Sequence, residues 1–437
     1  MIFLTRLRNP EPVFKGEITA FLALIFILML SMVGALLQSA SVHIEKQEMI
    51  AVTQLALEST FAEYHKEALE RYDIFARFGC DEGTVQNRMQ YYGASGMNHM
   101  LYRIELLTDH GGEPFFRQAV RYMKNWIGVA DKEEFRYEEV EETQVKEKEK
   151  EVNQTLEEML KEEEAELPKE NNPIEATQKL KETGLLNLLV SNPEELSNRN
   201  MELSTSASHR TLKQGNYNKS QDGELTDQAL FVAYIAEHFT QMTKPEESRT
   251  LLYEQEYLLG GKAGDRENLE AVCEKILLLR MAINYIYLQS SDIRKAEAEA
   301  LAATLCSLLT VPEITGVVKQ ALLLAWAYGE SIVDVRVLLK SEKVPVIKSD
   351  ETWQLQLQNL VTLGTEEENA SEKPAEKGMT YADYVKALLL LEDKSTLSMR
   401  CLDLIESNLQ IQADQCMTKA AVKSNGKYQF TTIFGYQ

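Results

Sequence analysis

Twenty consecutive residues without a charge, Ile18 to Leu37 (ITAFLALIFILMLSMVGALL), constrain this chain more than any other feature. As a helix rising about 1.5 Å per residue, such a run spans the roughly 30 Å hydrocarbon core of a bilayer. It reads as a transmembrane helix. A cleaved secretory signal is the first alternative, but the run exceeds a signal h-region, and Gln38 occupies the position two before Ala40 where a small residue belongs. A buried core helix is the second, and one of this length would show a polar face. Arg6, Arg8 and Lys15 precede the run, whereas His43, Glu45 and Lys46 follow it with little net charge. By the positive-inside rule the N-terminus is cytoplasmic and residues 38–437 are expected outside the cytoplasm. No second span is expected, because the apolar stretch from Ala321 to Val337 is interrupted by Glu330, Asp334 and Arg336.

Charge supplies the next constraint. The 437 residues hold 46 Lys plus Arg against 68 Asp plus Glu, a formal charge of −22, which argues against a nucleic-acid partner because such a protein needs a basic footprint. The deficit is uneven: residues 131–170 carry 17 acidic and 7 basic side chains, whereas residues 1–16 are net positive. That tract reads equally as a solvated helix, with Val145, Val152 and Met159 seven apart, or as a flexible charged linker.

Patterning predicts an α-rich α+β fold. The expected order is a basic cytoplasmic tail (1–17), the transmembrane helix (18–37), a stalk helix (38–79), a small mixed element (80–130), the acidic tract (131–172) and a mainly helical domain (173–437). The stalk follows from apolar residues at three- to four-residue spacing without Gly or Pro, closed by Gly79. Residues 80–130 suggest a strand, a turn and a helix from Pro114 to Trp126. In the last domain a short strand is expected at Leu251–Leu259, a helix from Glu267 to Gln289 capped by Asp265, further helices at Ile293–Leu309 and from Pro312 to Leu339, continuation of the pattern over Trp353–Leu363, a helix pair at Tyr381–Gln410, and a final strand at Lys427–Tyr436.

The motifs carry little chemistry. Gly260-Gly261-Lys262 lacks the spacing of a phosphate loop, with Glu256 and Ala263 at the decisive positions, and reads as a turn from a strand into a helix. The six histidines show no metal-ligand spacing and no G-x-S-x-G is present, so no catalytic residue, cofactor or metal is expected. Five cysteines without a C-x-x-C pair read as buried free thiols, with a Cys401–Cys416 bridge as the alternative. Glu330 and Asp334 stand four apart on one helix face and would repel unless partnered. Arg280 or Asn284 of the preceding long helix is the expected partner in a buried polar network. The competing reading gives Glu330 and Asp334 to an extracytoplasmic enzyme or ligand-binding domain.

Several stretches resemble, in order, a bacterial family of uncharacterised single-span membrane proteins, the DUF5702-like group. They are Lys15-Gly16-Glu17-Ile18-Thr19-Ala20-Phe21, FAEYHKEALERYDIF at 61–75, EYLLGGKAGDRENL at 256–269, ILLLRMAINYIYL at 276–288, AWAYGESIVDVRVLL at 325–339 and VPVIK at 344–348. The resemblance implies accessory proteins of tight-adherence (Tad) type pilus systems, with an N-terminal design similar to TadE-like minor pilins. It marks Gly16 as a possible processing site. Phe21 stands where pilin-like proteins carry Glu, so the implied form is a permanently anchored component with protein partners in a pilus machine and lipid around residues 18–37.

Overall fold

The computed structural model describes residues 15–127, 172–182, 184–219, 225–308, 314–365 and 372–436. The N-terminal tail, the acidic tract and Pro312 lie outside the described residues. The fold is mostly helical with a few short antiparallel strands, an α-rich α+β arrangement. It divides into two compact units: Met1–Tyr64, Gly79–Ile104 and Lys419–Tyr436 form the first, and His65–Phe78 with Glu105–Thr418 the second.

The first unit is built on α1 (Lys15–Phe61), a single helix that includes Gly16. Its side chains from Ile18 to Leu37 are exposed, and the helix is long and apolar enough to cross a membrane by length and composition. Further on the same helix becomes a core element: Thr53, Ala56, Leu57, Thr60 and Phe61 are buried. They face α3 (Glu82–Tyr91) and the strand β4 (Gln429–Gly435). α3 begins where the Asp81 carboxylate accepts from the Thr84 amide at 2.7 Å, and it buries Val85 and Met89 on one face. The sequence pattern places no helix there; the strand that the alternating Met100, Tyr102, Ile104, Leu106 run predicts lies further on, within residues 98–106. β2 (Asn98–Leu106) begins in this unit, and β3 (Cys416–Asn425) pairs antiparallel with β4 from Lys419↔Gly435 to Asn425↔Gln429.

The expected stalk ends early. Phe61 packs its ring 5.1 Å from Phe434, and its carbonyl accepts the Tyr436 hydroxyl at 2.5 Å. The His65 amide, which a continuing helix would direct to that carbonyl, donates instead to Ala76 O. His65 Nδ1 then caps α2 (Lys66–Tyr72), and Gly79 follows the strand β1 (Arg77–Phe78) instead of closing a helix.

The second unit holds one contiguous hydrophobic core. β1 pairs with the start of β3, which is the central strand of the order β1-β3-β2. α4 (Asp109–Trp126) opens with three left-handed residues, His110, Gly111 and Gly112. A Cβ on Gly112 would lie 2.8 Å from the Ser398 side chain, so glycine both permits the backbone and lets α4 approach α13 (Lys394–Leu409). α5 (Pro173–Glu182), α6 (Leu185–Leu189) and α7 (Leu225–His238) follow.

Residues 254–260 form α8 (Glu254–Gly260), a helix in place of the expected strand. Gly261, at φ +64°, ends it, so the glycine turn joins two helices. α9 (Asp265–Ser290) comes next, with Gly264 at the cap position; the Asp265 carboxylate turns away to Ser197 Oγ and the Leu252 and Tyr253 amides. α10 (Asp292–Leu308) and α11 (Thr315–Leu339) complete the centre. α11 is buried on every side from Leu322 to Val335, enclosed by α9, α10, α5 and a short 3-10 turn, Leu357–Val361. The rest of Trp353–Leu363 is irregular, because Trp353 and Trp326 both donate their indole N–H to Leu355 O and hold the chain against α11. α12 (Tyr381–Leu391) starts with a reciprocal Thr380–Asp383 capping box.

Candidate functional site

All four residues expected to form a polar network are fully buried in the second unit and come together between α9 and α11. Their i, i+4 spacings, Arg280 with Asn284 and Glu330 with Asp334, place each pair on one helix face. Asp334 Oδ2 accepts from Arg280 Nη2 at 2.8 Å, Arg280 Nε at 3.0 Å and Asn284 Nδ2 at 3.0 Å. Asn284 also donates to Ser331 Oγ. The remaining Arg280 nitrogen reaches the carbonyls of Pro345 and Val346 at 2.9 Å and the Tyr384 hydroxyl at 3.2 Å.

Glu330 has a different partner. Lys348 Nζ lies 2.6 Å from Glu330 Oε1 and 2.6 Å from Asp334 Oδ1, and it is itself completely buried at the side chain. Glu330 also accepts from the amides of Gln354 and Leu355. Burial pushes the Glu330 carboxyl above its ordinary range, against the pull of the Lys348 ammonium. Two cations balance two carboxylates: protein donors hydrogen-bond Asp334 Oδ2 and both Glu330 oxygens, and Asp334 Oδ1 is held by the Lys348 charge without a hydrogen bond. The arrangement therefore acts as a clamp: it fixes residues 345–355 to α9 and α11 from both ends. Sequence reasoning missed Lys348, whose signal was no more than a cation closing the apolar run Val344-Pro345-Val346-Ile347.

The same device recurs through this unit. Buried carboxylates serve as acceptors for loop amides that have no ladder to join. Glu254 Oε2 accepts from the Thr240 amide and Glu256 Oε1 from the Met242 amide, while Gln255 donates to Phe239 O and Thr240 O. Asp403 takes the Ser208 amide and the Tyr257 hydroxyl, and Arg210 forks onto Glu406 and Asp414. Burial raises the Asp403 and Glu406 carboxyls. Glu256 differs from Glu330 in having no cation on it among the described residues: Tyr381 donates to Oε1 at 2.8 Å, and Oε2 is buried with no partner among them. Burial pushes its carboxyl up to about 7.

Cys80, Cys273, Cys306, Cys401 and Cys416 are all buried and outside any disulfide, and burial pushes Cys273 and Cys401 well above the usual thiol range. In the native chain none of the five is expected to react promptly with a thiol reagent, and all five should react in denaturant. A count of three in denaturant would reveal a disulfide and overturn the assignment.

Fold and site together define an α-rich α+β protein with one candidate membrane span among the described residues and a helical unit organised by buried, hydrogen-bonded carboxylates. Residues 163–431, more than half of the chain, match the family of unknown function (DUF5702), and the protein belongs to that family. No curated protein and no solved structure matches the chain.

Proposed function

We propose that the protein is a membrane-anchored structural or accessory component of a Tad-like pilus or secretion apparatus, with its N-terminus cytoplasmic and the residues that follow the span outside. The observation that carries this reading is the continuity of α1, which passes from an exposed apolar segment into the buried spine of a folded unit without a break. A helix that is both anchor and core transmits position from the bilayer to the folded part, as an assembly component requires. The resemblance of residues 15–21 to a TadE-like N-terminus supports the same reading, as does a buried ion network that clamps loops. Crosslinking of native membranes followed by capture of the full chain is expected to recover pilus-machine or secretion-machine proteins. Their consistent absence overturns the proposal.

A further inference from the structure

The first unit holds a second feature that bears on the bilayer. The β3–β4 hairpin lies along α1 and is fastened to it at both ends. At its open end Phe434 packs tilted and Tyr436 edge-on against Phe61, with ring centroids 5.1 and 5.3 Å away. At its tip Lys427 Nζ donates to Glu45 Oε1 at 2.6 Å, and the Tyr428 hydroxyl reaches Glu45 Oε2 at 3.1 Å. Glu45 and Phe61 are separated by about 24 Å of helix, and Tyr428 and Tyr436 by about 27 Å of strand, so the two fastenings agree. The hairpin therefore runs parallel to α1 with its tip toward the apolar segment.

We propose that this tip, Asn425 to Tyr428, contacts the phosphodiester headgroups of the bilayer that carries α1. The inference rests on the membrane reading of residues 18–37. From Leu37 to Glu45 the helix rises about 12 Å, and the headgroup layer accounts for about 5–8 Å of that. The tip is then within one Debye length, about 8 Å, of the phosphates. Its chemistry fits that layer: Asn425, Gly426 and Lys427 are exposed, and Tyr428 is the kind of amphipathic ring that settles at membrane interfaces. Lys427 uses two of its three N–H groups on Glu45 and has a third to offer a phosphate. Lys423, with its ammonium 4.5 Å from the Tyr102 ring centroid, adds a second cation two residues up the strand from Asn425.

The test uses the full chain in vesicles of phosphatidylcholine with phosphatidylglycerol. The five native thiols are buried, so a fluorophore goes selectively to an introduced cysteine at N425C, at the far-end control I433C or at L36C within the span. A headgroup-attached quencher is expected to quench the N425C label about threefold more strongly than the I433C label, and K427Q should reduce that excess in anionic but little in zwitterionic vesicles. Equal quenching at 425 and 433, with the L36C label still quenched by a shallow acyl-chain probe, overturns the headgroup contact alone. Absence of acyl-chain quenching at L36C overturns the span as well.

Discussion

Replacing Lys348 with methionine is expected to destabilise the chain by about 3–5 kcal/mol, the usual cost of leaving a buried charge without its partner. Methionine fills nearly the same volume, so lost packing contributes little. What disappears is the ammonium 2.6 Å from both Glu330 and Asp334. Arg280 remains on Asp334, and Glu330 keeps only two backbone amides. The measurement is denaturant unfolding of the full chain in detergent micelles. Tryptophan emission is a local reporter, because Trp326 and Trp353 donate to Leu355 O while the Leu355 amide donates to Glu330.

Two further variants separate the clamp from simple bulk effects. The double change K348M/E330Q restores neutrality around the Arg280–Asp334 pair and should recover about half of the loss. The K348M deficit should also shrink as pH falls. Burial already raises the Glu330 carboxyl, and removing its cation raises it further, so the folded variant takes up a proton before the unfolded chain does. A K348M cost under about 1 kcal/mol, unchanged with pH, would show that the network does not hold residues 345–355 in place.

The sequence showed half of this clamp because helical periodicity is local. Arg280 with Asn284 and Glu330 with Asp334 are i, i+4 pairs on apolar helices, and such pairs must be partnered wherever they are buried. Lys348 was hidden because it sits in an irregular segment, where no period tells inside from outside. The carboxylates of Glu254, Asp265 and Glu256 failed to declare themselves for a related reason. Each accepts amides from a loop 12 to 14 residues away, so tertiary hydrogen bonding decided their surroundings and turned the expected strand into α8. The stalk was overextended by the same blindness: residues 38–76 lack helix breakers, and the helix stops because β4, from the far end of the chain, captures Phe61. The candidate span was the most legible feature, since its signal needs no partner within the protein.

Glu256→Gln is expected to stabilise the chain by about 2–3 kcal/mol at pH 8 and to destabilise it by about 1 kcal/mol at pH 4. The Glu256 carboxyl is fully buried, takes the Met242 amide and the Tyr381 hydroxyl on Oε1, and has no partner on Oε2 among the described residues. In the unfolded chain the proton leaves near 4.5, whereas in the folded chain burial holds it to about 7. Between those values the folded state binds the extra proton, so the Glu256 contribution lowers stability as pH rises through the window and is constant above it. Glutamine keeps the Oε1 contacts and carries no charge, which removes that slope. Its amide inherits the unpartnered position and returns about 1 kcal/mol of the gain. Other raised carboxyls, those of Glu254, Asp403 and Glu406, bend the parent curve in the same direction, so the informative quantity is the difference between variant and parent. That difference should open between about pH 4.5 and 7 and then level off; a difference independent of pH would mean that Glu256 is ionised throughout and that Oε2 is reached by water.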